Sequence, residues 1–146
     1  MMNRRLTIAA IAIGLAASWG VERSNAQPAA KAAAPAAPAM PGFKRVELQR
    51  HDLGVQGREA ITARGEFQPG ANVPKHTHPG EEVGFVLEGE VTLEMEGQPA
   101  KTVKAGDAFF IPAGTVHWAK NAGKGNAAVL STYIVEKGKP LATPVK

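Results

Sequence analysis

The chain of 146 residues contains no cysteine, one tyrosine and two tryptophans. The missing thiols exclude a disulfide framework, thiolate metal ligands, a CxxC redox pair and a cysteine nucleophile, so stability must come from a packed core. Long apolar runs are also lacking. Leu6 to Ala17 is uncharged and apolar, but it falls short of the roughly 20 residues that a membrane-spanning helix needs. Neither sign of charge dominates strongly, with 17 Lys and Arg against 13 Asp and Glu. No basic stripe or stacking-aromatic module accompanies the small excess, so no nucleic-acid partner is expected.

What is present begins with a leader. Arg4 and Arg5 precede the apolar run, and Ser24-Asn25-Ala26 offers small residues where a signal peptidase would cut. Residues 1–26 are therefore expected to be a secretory signal, giving a periplasmic or secreted mature protein with no stable membrane insertion. Loss of Arg4, Arg5, Arg23 and Glu22 leaves 14 basic against 12 acidic residues, an ordinary balance. Residues 27–42 are rich in alanine and proline, which bury little and interrupt helices, and are expected to form a disordered linker.

From Phe43 to Lys146 the pattern is that of short strands separated by turns, with no sustained apolar spacing of three and four. Val91, Leu93 and Met95 alternate with Thr92, Glu94 and Glu96, and Ile61, Ala63, Gly65 and Phe67 alternate with Thr62, Arg64 and Glu66. Such alternation predicts half-buried sheets. Val129 to Val135 is a continuous β-rich run that could be buried on both sides. Gly89-Glu90, Gly97-Gln98-Pro99, Ala105-Gly106-Asp107 and Pro112-Ala113-Gly114 supply turns. Eight to ten short strands in about 100 residues predict an all-β sandwich or jelly-roll barrel with an interior fit for a small ligand.

Two stretches within this region carry the chemistry. His76-Thr77-His78 places two imidazoles on one face of a strand, because strand side chains alternate with period two. Glu82 has the same parity and is the expected carboxylate partner, whereas Glu81 points to the rim; one residue of bulge would exchange the two. His117 follows the tight Pro112-Ala113-Gly114 turn, which can aim its ring back into the same cavity. Three imidazoles and one carboxylate suit a divalent first-row metal such as Fe, Mn, Ni, Cu or Zn. Asn121 is expected to satisfy backbone groups in a turn, and His51 to lie on the surface. Phe85, Met95, Phe110, Trp118 and Tyr133 are read as core residues or pocket lining, and Arg64 as a solvated side chain that could meet a substrate carboxylate.

Read together, these stretches resemble the cupin superfamily, and small single-domain bacterial cupins in particular. Gly70, His76, His78, Glu82 and Gly89 fill the first family motif, and Gly106, Pro112, Gly114, His117 and Asn121 fill the second. The resemblance covers Phe43 to Val135 and implies a double-stranded β-helix, a jelly-roll barrel, often a homodimer, holding one divalent metal ion with His76, His78, Glu82 and His117. It leaves the reaction open, since one fold hosts many chemistries. The first expectation is a dioxygenase-type oxidoreductase acting on a small oxygen-rich molecule, with Glu82 as proton acceptor and no organic cofactor. The alternatives are a metal-dependent lyase or isomerase, or a non-catalytic protein binding metal or a small ligand.

Overall fold

The computed structural model describes residues 40–146; the expected leader and residues 27–39 of the linker lie outside the described residues. Ten strands follow in order: β1 Phe43–Asp52, β2 Arg58–Phe67, β3 Asn72–Thr77, β4 Gly80–Glu88, β5 Glu90–Met95, β6 Lys101–Lys104, β7 Ala108–Ile111, β8 His117–Lys120, β9 Ala127–Glu136 and β10 Thr143–Pro144. They form two five-stranded sheets, β1-β2-β9-β4-β7 and β10-β3-β8-β5-β6, with every pairing antiparallel. No helix occurs among the described residues. This is the all-β double-stranded β-helix that the sequence led us to expect. Residues 40–42 already belong to it: they form a turn, and Met40 packs against the core.

The alternation seen in the sequence sorts the core. Ile61, Ala63 and Phe67 of β2, Val91 and Leu93 of β5, and Val129, Tyr133 and Val135 of β9 are buried between the sheets. On β9 the intervening Leu130, Thr132 and Ile134 are only half-buried, so this central strand has one covered face rather than two. Phe85 and Phe110 depart from expectation, because they are 44% and 54% exposed on the outer face. The register explains it: Phe110 lies opposite Val83 and Phe109 opposite Gly84, so it is Phe109 that turns inward. Phe85, Phe110, Val83 and Leu87 together make an exposed apolar patch on β4 and β7.

Glycines fix two close approaches. A Cβ at Gly84 would lie 2.0 Å from Cζ of Phe109, so the missing side chain is what lets that ring lie across β4. Gly89 turns the chain between β4 and β5 with φ of 67°, and a Cβ there would meet the Asn126 carbonyl oxygen at 2.4 Å. The other expected turn glycines, Gly70, Gly106 and Gly114, also have positive φ. At the second motif's end Asn121 is buried. Its amide donates to the carbonyls of Phe67 and Gly125, and its Oδ1 accepts from the Gly123 N–H, tying the connection between β8 and β9 to itself and to the end of β2.

Gly84→Ala must displace the Phe109 ring and is expected to cost about 1–3 kcal/mol of stability, the usual range for overpacking. Gly54→Ala, where nothing lies within 4 Å, should change stability by less than about 0.5 kcal/mol. Urea midpoints of the two variants check this, and equal midpoints would contradict the packing described.

Candidate metal centre

Each of the three inward-facing histidines is placed by a different local device. His76 lies on β3 directly opposite His117 of β8, although the ladder pairs Val73 with Ala119 three residues earlier. The register shift between Val73 and His76 makes this possible, turning both of those side chains inward despite their odd separation. Pro74 sits inside the shift, and its missing N–H is what an interrupted ladder tolerates. His78 follows the end of β3, and Glu82 is carried in from the other sheet by β4. The ring centroids of His76, His78 and His117 are 4.2 to 4.9 Å apart, and one nitrogen of each lies within 4.8 Å of the others.

Backbone carbonyls decide which nitrogen is free. His76 Nδ1 lies 2.8 Å from the Pro74 oxygen, His78 Nδ1 2.5 Å from the Leu141 oxygen and His117 Nδ1 2.9 Å from the Thr115 oxygen. A carbonyl only accepts, so Nδ1 carries the proton in all three rings and a neutral ring keeps its lone pair on Nε2. Glu82 faces those lone pairs: its Oε2 is 3.1 Å from His78 Nε2 and 3.6 Å from His117 Nε2. Its Oε1 accepts a 2.6 Å hydrogen bond from Ser131 Oγ. His78 Nε2 is buried and has no hydrogen-bond partner. The close carboxylate does not satisfy it, because two acceptors repel unless a cation stands between them. A donor set of three oriented imidazoles and a carboxylate, with a lone pair orphaned in this way, fits a divalent metal ion.

The electrostatics agree. His76 is held down to about 4, first by burial and then by the neighbouring His117, against the opposing Pro74 carbonyl, and so is neutral at pH 7. Burial is the largest influence on Glu82 and pushes its carboxyl up. The neighbouring His117 and His78 and the hydrogen bond from Ser131 overcome it, holding the group well below the usual carboxylate range. Tyr133 stands edge-on to His78, with centroids 4.8 Å apart. Burial, then the Glu82 charge, drives its phenol far above the ordinary value, so it stays protonated.

A cavity of about 530 Å³ opens beside His76, Glu82 and His117. Tyr133 lines it, as one of the residues considered for that role, with Phe43, Phe67, Phe109, Ile61 and Leu93. Arg64 turns away and pairs with Glu66, Glu81 pairs with Arg58 at the rim, and His51 is exposed. Trp118 carries Lys75 Nζ over its ring at 4.7 Å and does not reach the cavity. Sequence reasoning overlooked Ser131, Phe109, Arg45 and Arg50, and also the C-terminal segment, where Pro140, Leu141 and Ala142 line the cavity and the Leu141 carbonyl orients His78. Inward parity on β9 and β1 could have pointed to Ser131 and Arg45. Nothing local marks a backbone carbonyl 63 residues away.

A folded-state value for His76 below the ordinary 6.5 means that the unfolded chain binds more protons between pH 6.5 and about 4. Stability of the metal-free protein is therefore expected to fall as the pH drops through that window, while the Glu82 contribution is kept until more acidic pH. Thermal unfolding in chelator checks this, and His76→Gln should flatten the slope. A slope between pH 6.5 and 4 that is unchanged by the substitution would contradict the assignment.

Comparison with known proteins points the same way. Residues 63–133 match the Cupin domain family model. Germin-like protein subfamily 2 member 2 of Arabidopsis thaliana is 43% identical over 85 residues, which are 55% of this chain and 39% of that protein. Germin-like protein 1 of Brassica napus is 37% identical over 98 residues, 64% of this chain and 45% of that protein. The chain thus spans less than half the length of these curated relatives. Among solved structures, an oxalate oxidase in complex with the substrate analogue glycolate superposes with a TM-score of 0.59 at 28% identity, covering 79% of this chain and 60% of that one. An RmlC-like cupin from Shewanella frigidimarina gives 0.53 at 27% identity, covering 66% and 79%. The double-stranded β-helix, both filled motifs and the match to the Cupin domain model over residues 63–133 together support placing the chain in the cupin superfamily.

Proposed function

We propose that this protein is an exported, metal-dependent cupin oxidoreductase of the dioxygenase type, acting on a small oxygen-rich molecule, with His76, His78, Glu82 and His117 as the ligands of one divalent transition metal ion. The observation that carries the reading is the arrangement of lone pairs: three rings anchored through Nδ1 and a buried carboxylate oxygen set against two of the free nitrogens. Likeness to an oxalate oxidase binding glycolate supports oxidation of an oxygen-rich substrate. A bound ion would supply Lewis-acid or electron-transfer chemistry at a position that four protein ligands leave open.

The chain's own residues do the rest. Glu82 is the proton acceptor. Ser131 fixes its Oε1, so the carboxylate keeps its place while Oε2 turns from the ring nitrogens to a substrate proton. Tyr133, with its phenol protonated, keeps an O–H to donate toward a substrate oxygen. The apolar walls formed by Phe43, Phe67, Phe109 and Ile61 keep bulk water from the reacting atoms. Residues 1–26 serve as the export signal and residues 27–39 as a tether. The outer patch of Val83, Phe85, Leu87 and Phe110 is the face through which two copies pair, as exposed apolar patches commonly are.

Protein purified without an affinity metal column should contain close to one transition metal ion per chain, and His76→Ala with His117→Ala should lose both the ion and oxygen uptake with catechols, enols and small hydroxy acids. A parent protein that retains no metal even after reconstitution would overturn the reading. For the pairing, light scattering should give twice the chain mass for the parent and a single chain mass for Phe85→Asp with Phe110→Asp. A parent that is monomeric at micromolar concentration would contradict it.

A further inference from the structure

Strand β1 is the edge of its sheet, and its inward face carries charge. Phe43, Arg45 and Glu47 lie opposite Phe67, Gly65 and Ala63, and after a register shift Arg50 lies opposite Ile61. Inward-pointing charges commonly protect a sheet edge from pairing with other chains, and Arg50 answers that description. Its guanidinium is committed to Glu47 at 2.9 and 2.8 Å and to Glu59 at 2.6 Å. Arg45 is different. It lines the same cavity as His76, Glu82 and His117, is only partly exposed, and forms no ion pair among the described residues. Most of the remaining wall is apolar, with Phe43, Phe67, Phe109 and Ile61, while Glu47, which also lines it, is paired with Arg50.

We propose that Arg45 is a specificity-determining residue that binds the carboxylate of the substrate, and that the substrate class is a carboxylic acid with an apolar body rather than a bare two-carbon acid. The inference rests on the metal-site reading above for the position of the other end of the substrate. A guanidinium facing an apolar cavity without a carboxylate partner is costly, and an entering carboxylate relieves that cost with charge-assisted, often bidentate, hydrogen bonds. An acid of glycolate's size would leave most of a 530 Å³ cavity empty, whereas an aryl or alkyl group would cover the Phe43, Phe67 and Phe109 surface.

The test is equilibrium binding to the zinc-loaded full chain, where no turnover intervenes, by calorimetry with mandelate, phenyllactate, glycolate and methyl mandelate as probes. The parent should bind mandelate and phenyllactate more tightly than glycolate and more tightly than the ester. Arg45→Met should weaken the aryl acids by about 10- to 100-fold, the range of a hydrogen bond to a charged group, and leave the ester unchanged. Arg45→Lys should restore part of the loss, which a merely structural role would not do. Equal affinity of Arg45→Met and parent for mandelate, or a preference of the parent for glycolate or the ester, would overturn the proposal. Zinc content of each variant is measured alongside. Normal zinc with no effect of Arg45 would sink the substrate class and spare the metal site, whereas zinc absent from the parent would sink the metal site itself.

Discussion

Everything at the candidate centre depends on three hydrogen bonds that are not part of any strand ladder. An imidazole has two nitrogens and, when neutral, one proton; giving that proton to a backbone carbonyl through Nδ1 settles both the tautomer and the tilt of the ring. With Pro74, Thr115 and Leu141 supplying those carbonyls, three lone pairs converge without any of the rings needing to move. The converging lone pairs and the Glu82 carboxylate form a concentration of acceptors that is unfavourable when empty of positive charge. That shared frustration is what makes the site a receptor for a cation.

The two sheets divide the labour. His76 and His117 come from adjacent strands of one sheet, Glu82 from the facing sheet, and His78 from the connection between β3 and β4. Closing the sheets on one another buries the apolar alternation and brings the ligands together in the same event, so folding assembles the site. The C-terminal segment completes it, because β10 pairs with β3 at Thr77 and His76 while Leu141, just ahead of it, holds His78. The charged inner face of β1 also borders the cavity, where Arg50 is committed to Glu47 and Glu59 and Arg45 is the residue proposed for ligand recognition.

Much of this was legible in the sequence because it follows from a period of two. The alternation along β2 and β5 gives the covered faces, and the even spacing of Glu82 from His76 and His78 correctly turns Glu82 inward and Glu81 to the rim, where Arg58 meets it. Parity fails where a ladder shifts: Val73 and His76 both face inward only because the pairing slips at Pro74. It is also silent on short strands that are apolar throughout. In Ala108-Phe109-Phe110-Ile111 either phenylalanine could face the interior, and only the register against Val83 and Gly84 selects Phe109. Of the groups that hold the ligands, Ser131 and the Leu141 carbonyl reach theirs across 49 and 63 residues of chain, and the Pro74 and Thr115 carbonyls, though only two residues from their histidines, are backbone atoms that have no residue signature at all.

The most direct test of the central claim is nitrogen-15 NMR of the histidine side chains in the zinc-loaded protein. The account predicts that zinc shifts Nε2 of His76, His78 and His117 while all three keep a slowly exchanging Nδ1–H proton, with His51 unaffected. Zinc bound through Nδ1 of any of the three, or no response of these rings to zinc, would contradict it.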